Sequence, residues 1–410
     1  MSKLHKYAFA DLYDMASGIS STKEQAGHGA PFVSFSTVFN NYFLPDELTD
    51  LMDTSEREQE TYSIKKGDIL ITRTSETVDE LAMSCVALKD YPKATYSGFV
   101  KRLRPKTTGI AYDKYMAFFL RSKYFRKVIN SNTIMTLRAS FNEDIFSFLT
   151  LYLPDYEEQV KIGDMLYNME RKISLNKKIN DNLEQQAKLL YDYWFTQFDF
   201  PDENGNPYRA SGGQMEWNDV LNRHIPVGWK VKSLAELMKK NTTAFDYTST
   251  QPAIDLSVMP SGSIALSQLN TSDNFTTNLY QMKKGDILFG SIRPYLHKAG
   301  FAPCDGVVAG TVHSYSVKNE NDYNFALITV SKNAFFDYAV NVSSGTKMPV
   351  VSSDSILAYK VPYNNEIVSR FNDIALMETI ASNVQENQKL IELRDWLLPM
   401  LMNGQASVED

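Results

Sequence analysis

The residues of this chain that could do chemistry are concentrated in one basic stretch. Residues 89–138 contain twelve lysines and arginines but only two acids, a net charge of +10 within a chain of net charge −7. Such a concentration is typical of a surface that follows phosphate groups, although a solvated basic face without a partner is the alternative. We expect backbone contacts from it more than base contacts. The cations are Lys89, Lys93, Lys101, Arg102, Arg104, Lys106, Lys114, Arg121, Lys123, Arg126, Lys127 and Arg138.

The second half of the chain has fewer and more scattered cations. The segment SSGTKMPVV (residues 343–351) could bring backbone amides and Lys347 close to a phosphate or a base edge, or it could be an ordinary connection. Our candidates for nucleic-acid contact come from both halves: Lys101, Arg102, Arg104, Lys106, Arg121, Lys123, Arg138, Arg73, Arg293 and Lys347.

A search for catalytic centres finds none. The chain has no GxxxxGK[ST] or GxGxxG phosphate loop, no Asp/Asn-Pro-Pro-aromatic tetrad for adenine methylation and no Gly-x-Ser-x-Gly. Its five histidines are scattered and suggest no metal site. The two cysteines, Cys85 and Cys304, support neither a disulfide framework nor a thiolate metal site and fit a reducing cytoplasm. We therefore expect no catalytic residues and no metal.

The elements that position these residues are duplicated. KKGDIL occurs at residues 65–70 and again at 283–288, a separation of 218. In each copy, the glycine permits a positive φ, the aspartate can bond its own backbone, and the apolar pair enters a strand. A Ser-Lys pair followed by two aromatic residues also recurs, at 122–125 and 331–336, before a strand that ends in proline. The sequence therefore predicts two copies of one globular unit.

A long polar helix follows each unit. From about residue 157 to 198, and again from 376 to 401, apolar residues recur in steps of four and three, a heptad pattern. Each seam carries two asparagines in its middle, and paired asparagine layers fix register because a buried amide needs a partner. The alternative is that each helix packs only on its own globular unit. The layers are Asn176, Asn180, Asn383 and Asn387.

An antiparallel pairing sets Asn176 opposite Asn387 and Asn180 opposite Asn383. A parallel pairing would also match the asparagines, but the antiparallel one sends the two globular units to opposite ends. The same register opposes Ile173 to Leu390 and places Arg394 in an imperfect layer, from which we expect its side chain to reach solvent.

The remaining segments are simple to interpret. Residues 199–227 are rich in Gly, Pro and Asn, lack a helical or strand period, and are interpreted as a linker. We find no secretion signal and no apolar run long enough for a membrane span.

In its longer motifs the chain resembles the specificity subunits of type I restriction–modification systems. The motifs are WFTQFDFPDENGNPYRASGGQM (194–215), HIPVGWKVKSLAEL (224–237), the two KKGDIL turns and LRDWLLPMLMNG (393–404). The resemblance extends over the whole chain.

This resemblance implies an α+β, multidomain fold with an internal pseudo-two-fold repeat: two α/β target-recognition domains separated by two long antiparallel coiled-coil helices. It implies a non-catalytic subunit that binds double-stranded DNA with a split, asymmetric target and docks two methyltransferase subunits. S-adenosylmethionine would belong to those partners, and ATP and Mg to a separate restriction subunit. A coiled-coil scaffold or interaction protein with an incidental basic face is the alternative.

The expected domains follow from the repeat and the helices. They are a first recognition domain (1–155), a first spacer helix (156–198), a linker (199–227), a second recognition domain (228–363), a second spacer helix (364–403) and a tail (404–410).

Overall fold

The chain divides into two compact units. A computed structural model describes residues 3–75, 80–132, 139–247, 249–266, 268–373 and 376–408. The first unit comprises Met1–Arg171 and Ile391–Asp410, and the second comprises Lys172–Leu390. Each has its own apolar core, built around residues such as Phe118 and Leu103 in the first and Phe289 and Phe325 in the second.

The first unit contains short strands and helices in alternation. Its strands are β1 (Leu4–Ala8), β2 (Tyr13–Ser17), β3 (Ala26–Val33), β4 (Leu51–Met52), β5 (Ile69–Thr72), β6 (Thr74–Ser75), β7 (Ser84–Val86), β8 (Thr95–Tyr96), β9 (Val100–Pro105), β10 (Ala139–Ser140) and β11 (Thr150–Pro154). Its helices are α1 (Phe9–Leu12), α2 (Phe35–Asn40), α3 (Glu56–Thr61), α4 (Asp113–Phe119), α5 (Lys123–Asn132), α6 (Glu143–Phe148) and the start of α7 (Tyr156–Tyr191).

The second unit begins within α7 and ends within the last long helix. Its strands are β12 (Met215–Asn218), β13 (Arg223–Pro226), β14 (Lys230–Ser233), β15 (Met238–Lys240), β16 (Pro252–Ile254), β17 (Asn270–Thr271), β18 (Leu279–Met282), β19 (Ile287–Gly290), β20 (Ala299–Phe301), β21 (Gly306–Ala309), β22 (Val312–Val317) and β23 (Lys360–Tyr363). Its helices are α8 (Leu234–Leu237), α9 (Tyr323–Ser331), α10 (Asn333–Asn341), α11 (Ser353–Leu357), α12 (Asn365–Asn372) and α13 (Leu376–Met402).

The two units repeat one topology, as the sequence predicted. The first has an antiparallel sheet of order β2-β9-β5-β7, and the second has β15-β22-β19-β20 in the same order and sense. In each unit a further strand pairs antiparallel with one neighbour and parallel with another, β3 with β4 and β8, and β16 with β17 and β21. An early strand of each unit also pairs antiparallel with the last one, β1 with β11 and β14 with β23. These shared pairings confirm the internal repeat.

The asparagine layers lie within the second unit, and their pairing confirms the antiparallel register. Asn176 Nδ2 donates to Asn387 Oδ1 at 2.9 Å, and Asn383 Nδ2 donates to Asn180 Oδ1 at 2.8 Å. As the residue number rises in α7 it falls in α13, which only an antiparallel pair allows. Asn387 also donates to the Ile173 carbonyl at 3.4 Å. Each buried amide therefore has a partner, as a polar layer in an apolar seam requires.

Arg394, in the first unit, differs from the expectation that its side chain would reach solvent. Its side chain is 14% exposed and forms ion pairs with Glu170 and Asp395. The guanidinium also lies over the ring of Tyr42, 5.5 Å from its centroid. The Arg394 guanidinium need not extend into water, because acidic side chains and an aromatic ring beside the seam already stabilise its charge.

The segment 199–227 also differs from the expected linker. Strands β12 and β13 form an antiparallel hairpin within it. Upstream of the hairpin, Phe200 is buried and stacks on Tyr208 at a centroid distance of 4.8 Å, and Trp229 packs beside Phe200. Its Gly and Asn residues mark turns, while Phe200 and Tyr208 pack into the core of the second unit.

We expect disulfide cross-linking to report this helix register. In a chain with Cys304→Ser, the variant Ile173→Cys/Leu390→Cys should cross-link readily, because the antiparallel register opposes these two positions. The matched variant Ile173→Cys/Ile380→Cys should not. Cys85 does not interfere because it is buried, and burial raises the pKa of its thiol to about 12. Gel mobility without reductant and mass spectrometry of the linked peptides measure the result; the opposite pattern would mean parallel helices.

Candidate nucleic-acid interface

The two KKGDIL turns have the same hydrogen bonds. In the first, the Lys65 N–H donates to Asp68 Oδ2 at 2.8 Å, and the Gly67 N–H donates to the Ala87 carbonyl at 2.8 Å. In the second, the equivalent Lys283 N–H donates to Asp286 Oδ2 at 2.7 Å, and the Gly285 N–H donates to the Ala302 carbonyl at 2.8 Å. Gly67 and Gly285 have φ of 86° and 90°, values that favour glycine. The repeated turn thus holds a buried carboxylate at the start of a central strand.

The two copies satisfy that carboxylate differently. Asp68 is fully buried and accepts two bonds from Arg104, at 2.8 Å from Nε and 2.7 Å from Nη2. The hydrogen bond to Asp68 raises the pKa of the Arg104 guanidinium. Asp286 instead accepts from neutral groups: Asn241 Nδ2 at 2.8 Å, Ser314 Oγ at 3.2 Å and Ser316 Oγ at 2.9 Å.

The strand pairing aligns these partners. Leu70 opposes Arg102 in the first unit, and the equivalent Leu288 opposes Ser314 in the second. Arg102 and Arg104 therefore correspond to Ser314 and Ser316. Much of the charge difference between the two units arises at such positions, where arginines serve the fold of the first unit.

Several cations expected at a nucleic-acid face are bound inside the first unit instead. Arg102 is 9% exposed, and its Nη1 donates to the Ser63 carbonyl at 2.5 Å. Lys101 is 8% exposed, and its Nζ donates to Ser17 Oγ at 2.8 Å. Arg104 is the partner of Asp68. Neutralising Lys101, Arg102 and Arg104 would therefore disturb the fold, because each makes contacts within it.

Arg121 is another internal cation. It donates to four backbone carbonyls, and burial lowers its pKa. Three of these carbonyls lie at the C-terminal end of α2 and the fourth lies in β7, so the guanidinium satisfies oxygen atoms of a helix end and of an edge strand. The acceptors are Ser84 at 2.6 Å, Val38 at 2.6 Å, Phe39 at 2.9 Å and Asn41 at 2.9 Å.

The other candidates in this stretch have different positions. Lys106 is exposed, but its Nζ donates to the Ala10 carbonyl at 2.8 Å and lies 3.5 Å from an oxygen of Asp14. Lys123 is exposed on the first turn of α5. Arg138 lies outside the described residues. Of these three, Lys123 has the exposed ammonium that a phosphate contact needs.

Arg73 directly follows β5, at the opposite end from the KKGDIL turn. Its side chain is exposed, and its N–H donates to the Phe99 carbonyl at 2.8 Å. Phe99 is 62% exposed, an unusual position for a phenylalanine. Lys101 lies two residues after Phe99, within β9. Burial is the main cause that lowers the pKa of its ammonium, and the charge of Arg73 is the second.

The corresponding loop of the second unit brings Arg293 close to the segment 343–351. The Arg293 N–H donates to the Pro349 carbonyl at 2.7 Å, and Ser344 and Val350 exchange two backbone hydrogen bonds at 2.9 and 2.8 Å. Arg293 and Lys347 are both exposed. The two candidates from this half thus lie on backbone segments that are directly hydrogen-bonded to each other.

Sequence reasoning missed the exposed aromatic residues beside these arginines. Tyr295, two residues after Arg293, is 51% exposed, as Phe99 is beside Arg73. Nothing in the local sequence separates Phe99 from the buried aromatic residues around it. The one available signal was its place in YSGFVKRLR, directly before the alternating cations of β9.

The described part of the chain contains no cluster of three or more metal-binding side chains. Among the same residues, no helix combines the length and apolar character that crossing a membrane would require.

Known proteins that are similar to this chain are specificity proteins of type I restriction–modification systems. Residues 7–185 match the model described as "Type I restriction modification DNA specificity domain". The chain is 24% identical to the type I restriction enzyme HindI specificity subunit of Haemophilus influenzae, over 91% of this chain and 94% of that protein. It is 22% identical to the MjaIX specificity subunit of Methanocaldococcus jannaschii, over 98% of this chain and 93% of that protein. Along most of its length the chain is therefore similar to type I specificity subunits.

A solved structure has a fold similar to that of this chain. The type I restriction–modification S subunit from M. genitalium matches with a TM-score of 0.56 and 14% identity, over 98% of this chain and 96% of that one. The likeness at this identity concerns the fold. The matched model is described by its DNA specificity, and DNA sequence recognition is the role that these similarities support.

Proposed function

We propose that this chain is a specificity subunit that recognises a split, asymmetric DNA target, one half with each globular unit, and directs adenine methylation to it. The observation that carries the proposal is a repeated fold with different side chains at equivalent positions at the end of the central strand. Arg73, Phe99 and Lys101 correspond to Ser291, Thr311 and His313, because both triplets occupy the same places in the strand pairing. Two copies of one scaffold with unlike contact residues suit two unlike half-sites.

Exposed cations supply the affinity for the phosphate backbone. Arg73 and Lys123 in the first unit, and Arg293 and Lys347 in the second, have exposed side chains. Each cation that neutralises a phosphate releases counterions, so binding weakens as salt rises. The net charge of −7 does not oppose this role, because local charge determines the contact.

The partners in this proposal are two methyltransferase subunits docked on the long helices and, where cleavage occurs, a restriction and translocation subunit. S-adenosylmethionine is bound by the methyltransferase, and ATP and Mg by the restriction subunit. The complex acts on DNA in the cytoplasm.

The recognition domains in this proposal are residues 1–155 and 228–363, with spacer helices at 156–198 and 364–403. Residues 199–227 join the two halves, and residues 404–410 form a tail. The two compact units divide the chain within the long helices instead: Met1–Arg171 and Ile391–Asp410 form the first, and Lys172–Leu390 forms the second.

Mapping of adenine methylation in the host genome, with and without this chain, tests the proposed function. We expect a two-part sequence motif whose methylation disappears when the chain is deleted and returns when it is restored. A deletion that leaves every methylated motif in place would contradict the proposal. A purified chain that self-associates strongly but shows no sequence-selective DNA binding would support the scaffold alternative instead.

A further inference from the structure

The end of the strand that follows the first KKGDIL turn carries the cations Arg73 and Lys101 beside the exposed ring of Phe99. In the first unit, Ile71 opposes Lys101 and Thr72 opposes Val100, and the Arg73–Phe99 hydrogen bond continues this pairing by one residue. Opposed residues, and residues two apart along a strand, share one face of a sheet. Arg73, Phe99 and Lys101 therefore belong to the same face.

Arg73 forms no ion pair with a described residue, and Glu143 is the carboxylate whose charge acts on Lys101. Arg73 and Lys101 are close enough for the charge of one to affect the other. Lys101 donates to the neutral Ser17, and the ion pairs of the described residues include neither cation. Arg102, Arg104 and Arg121, by contrast, all donate to oxygen atoms within the unit. An exposed guanidinium without an internal acceptor is available to a ligand.

The equivalent positions in the second unit are neutral. Ser291 is 3% exposed, and its Oγ donates to the Thr311 carbonyl at 2.9 Å. The imidazole of His313 is held within the unit, because its Nε2 lies 3.3 Å from the Val351 carbonyl oxygen. Burial, followed by the nearby Lys240, lowers its pKa to about 4, so its ring is neutral at pH 7. The cation of this unit must come from elsewhere in the loop.

Arg293 provides that cation on a tightly held turn. Arg293 and His297 have φ of 53° and 52°, in the left-handed region that residues other than glycine seldom adopt, and they flank the 3₁₀ turn Pro294–Leu296. The turn is fixed at both ends: the Arg293 N–H bonds to Pro349, and the Gly262 N–H donates to the His297 carbonyl at 2.8 Å. The turn presents Arg293 and Tyr295 to solvent from a braced backbone, which suits a precise contact.

We propose that Arg73, with Phe99 beside it, recognises a guanine in one half-site, and that Arg293, with Tyr295 beside it, recognises a guanine in the other. This inference rests on the proposed function. The planar guanidinium can donate two bonds to O6 and N7 of guanine in the major groove, a pattern that no other base pair presents there. The neighbouring ring supplies apolar contact with an adjacent base, such as the methyl group of thymine.

Competition binding tests the assignment with the whole chain bound to its methyltransferase partner. The competitors are duplexes that carry one changed base pair at each position of the methylated motif. Arg73→Ala should reduce discrimination by about ten- to a hundredfold at one G·C pair of one half-site and leave the other half-site unchanged. Arg293→Ala should do the same only in the other half-site. Arg73→Lys keeps the charge but lacks the fork, so it should recover affinity without recovering discrimination.

Two control variants separate base contact from other effects. Arg57→Ala removes an exposed arginine of the same unit, on α3, and should leave all binding unchanged. Lys123→Ala should weaken binding to every duplex alike. Because Arg73 and Arg293 are exposed, their variants should keep the wild-type melting temperature.

Equal weakening of all duplexes by Arg73→Ala or Arg293→Ala would make the arginine a phosphate contact and overturn the inference. A change in both half-sites from one substitution would overturn it too. A wild-type complex without a two-part preference would contradict the proposed function itself. Selective wild-type binding with unchanged preferences in both variants would contradict only this assignment.

Discussion

Exchange of the first recognition domain should change one half of the DNA target and leave the other half intact. In this exchange, the equivalent segment of a type I specificity subunit replaces residues 1–155. The apolar core of the first unit is separate from that of the second unit. Because each unit folds around its own apolar residues, the incoming segment should bring its own base contacts with it. Methylation mapping in a host that expresses the chimera measures the new motif.

The structure defines how that exchange should be made. Residues of the first domain contact the long helices: Tyr112 Oη donates to Asp164 at 2.8 Å, Lys114 Nζ lies 2.7 Å from the same carboxylate, and Arg394 lies over Tyr42. A donor that lacks these side chains should also receive its own residues 156–171 and 391–410. The matched control exchanges residues 228–363, which should change only the other half-site. A chimera that alters both half-sites, or neither, would contradict the assignment of one half-site to each unit.

Removal of the Asp68 carboxylate should destabilise the first unit by about 3–5 kcal/mol, the usual cost of breaking a buried ion pair. Asp68→Ala leaves Arg104 without its acceptor and the Lys65 N–H without the bond that closes the turn. For a unit of this size, that change corresponds to a fall in the unfolding midpoint of roughly 10 °C. Hydrogen exchange of the amides in β5 and β9 measures the unfolding free energy of this unit separately from the other.

A double-mutant cycle makes the test specific to the pair. Arg104→Ala alone should also be costly, because it leaves a fully buried carboxylate without a cation. Asp68→Ala/Arg104→Ala should cost clearly less than the sum of the two single variants. Lys123→Ala, an exposed lysine of the same unit, serves as the control and should leave exchange unchanged. Additive losses would mean that the two side chains do not stabilise the unit as a pair.

Local and periodic features were predictable from the sequence. The KKGDIL turns need a glycine with positive φ and an aspartate that bonds its own backbone, and both requirements can be recognised in six letters. The asparagine layers follow from heptad spacing, and the pairing of Asn176 with Asn387 follows once the antiparallel arrangement is preferred because it sends the two globular units to opposite ends.

The use of each cation could not be predicted in the same way. Arg121 donates to carbonyls about 80 residues earlier in the chain, and no local pattern announces such a partner. Arg102 and Arg73 contribute equally to the charge of the sequence, yet the side chain of Arg102 is buried and that of Arg73 is exposed. The hairpin at β12 and β13 was missed because its Gly- and Asn-rich turns hide short strands that long-range aromatic packing stabilises.

The central strand of the first unit separates its anchor from its contact surface. The buried carboxylate of Asp68 lies before β5 and Arg73 lies after it, five residues apart, or about 16 Å along an extended chain. The second unit retains the carboxylate but satisfies it with serines, and it has different residues at the far end of the strand. Evolution can therefore substitute the contact residues without loosening the anchor. Under the proposed function, point mutation at the far end of the strand would change the DNA target on an unchanged scaffold.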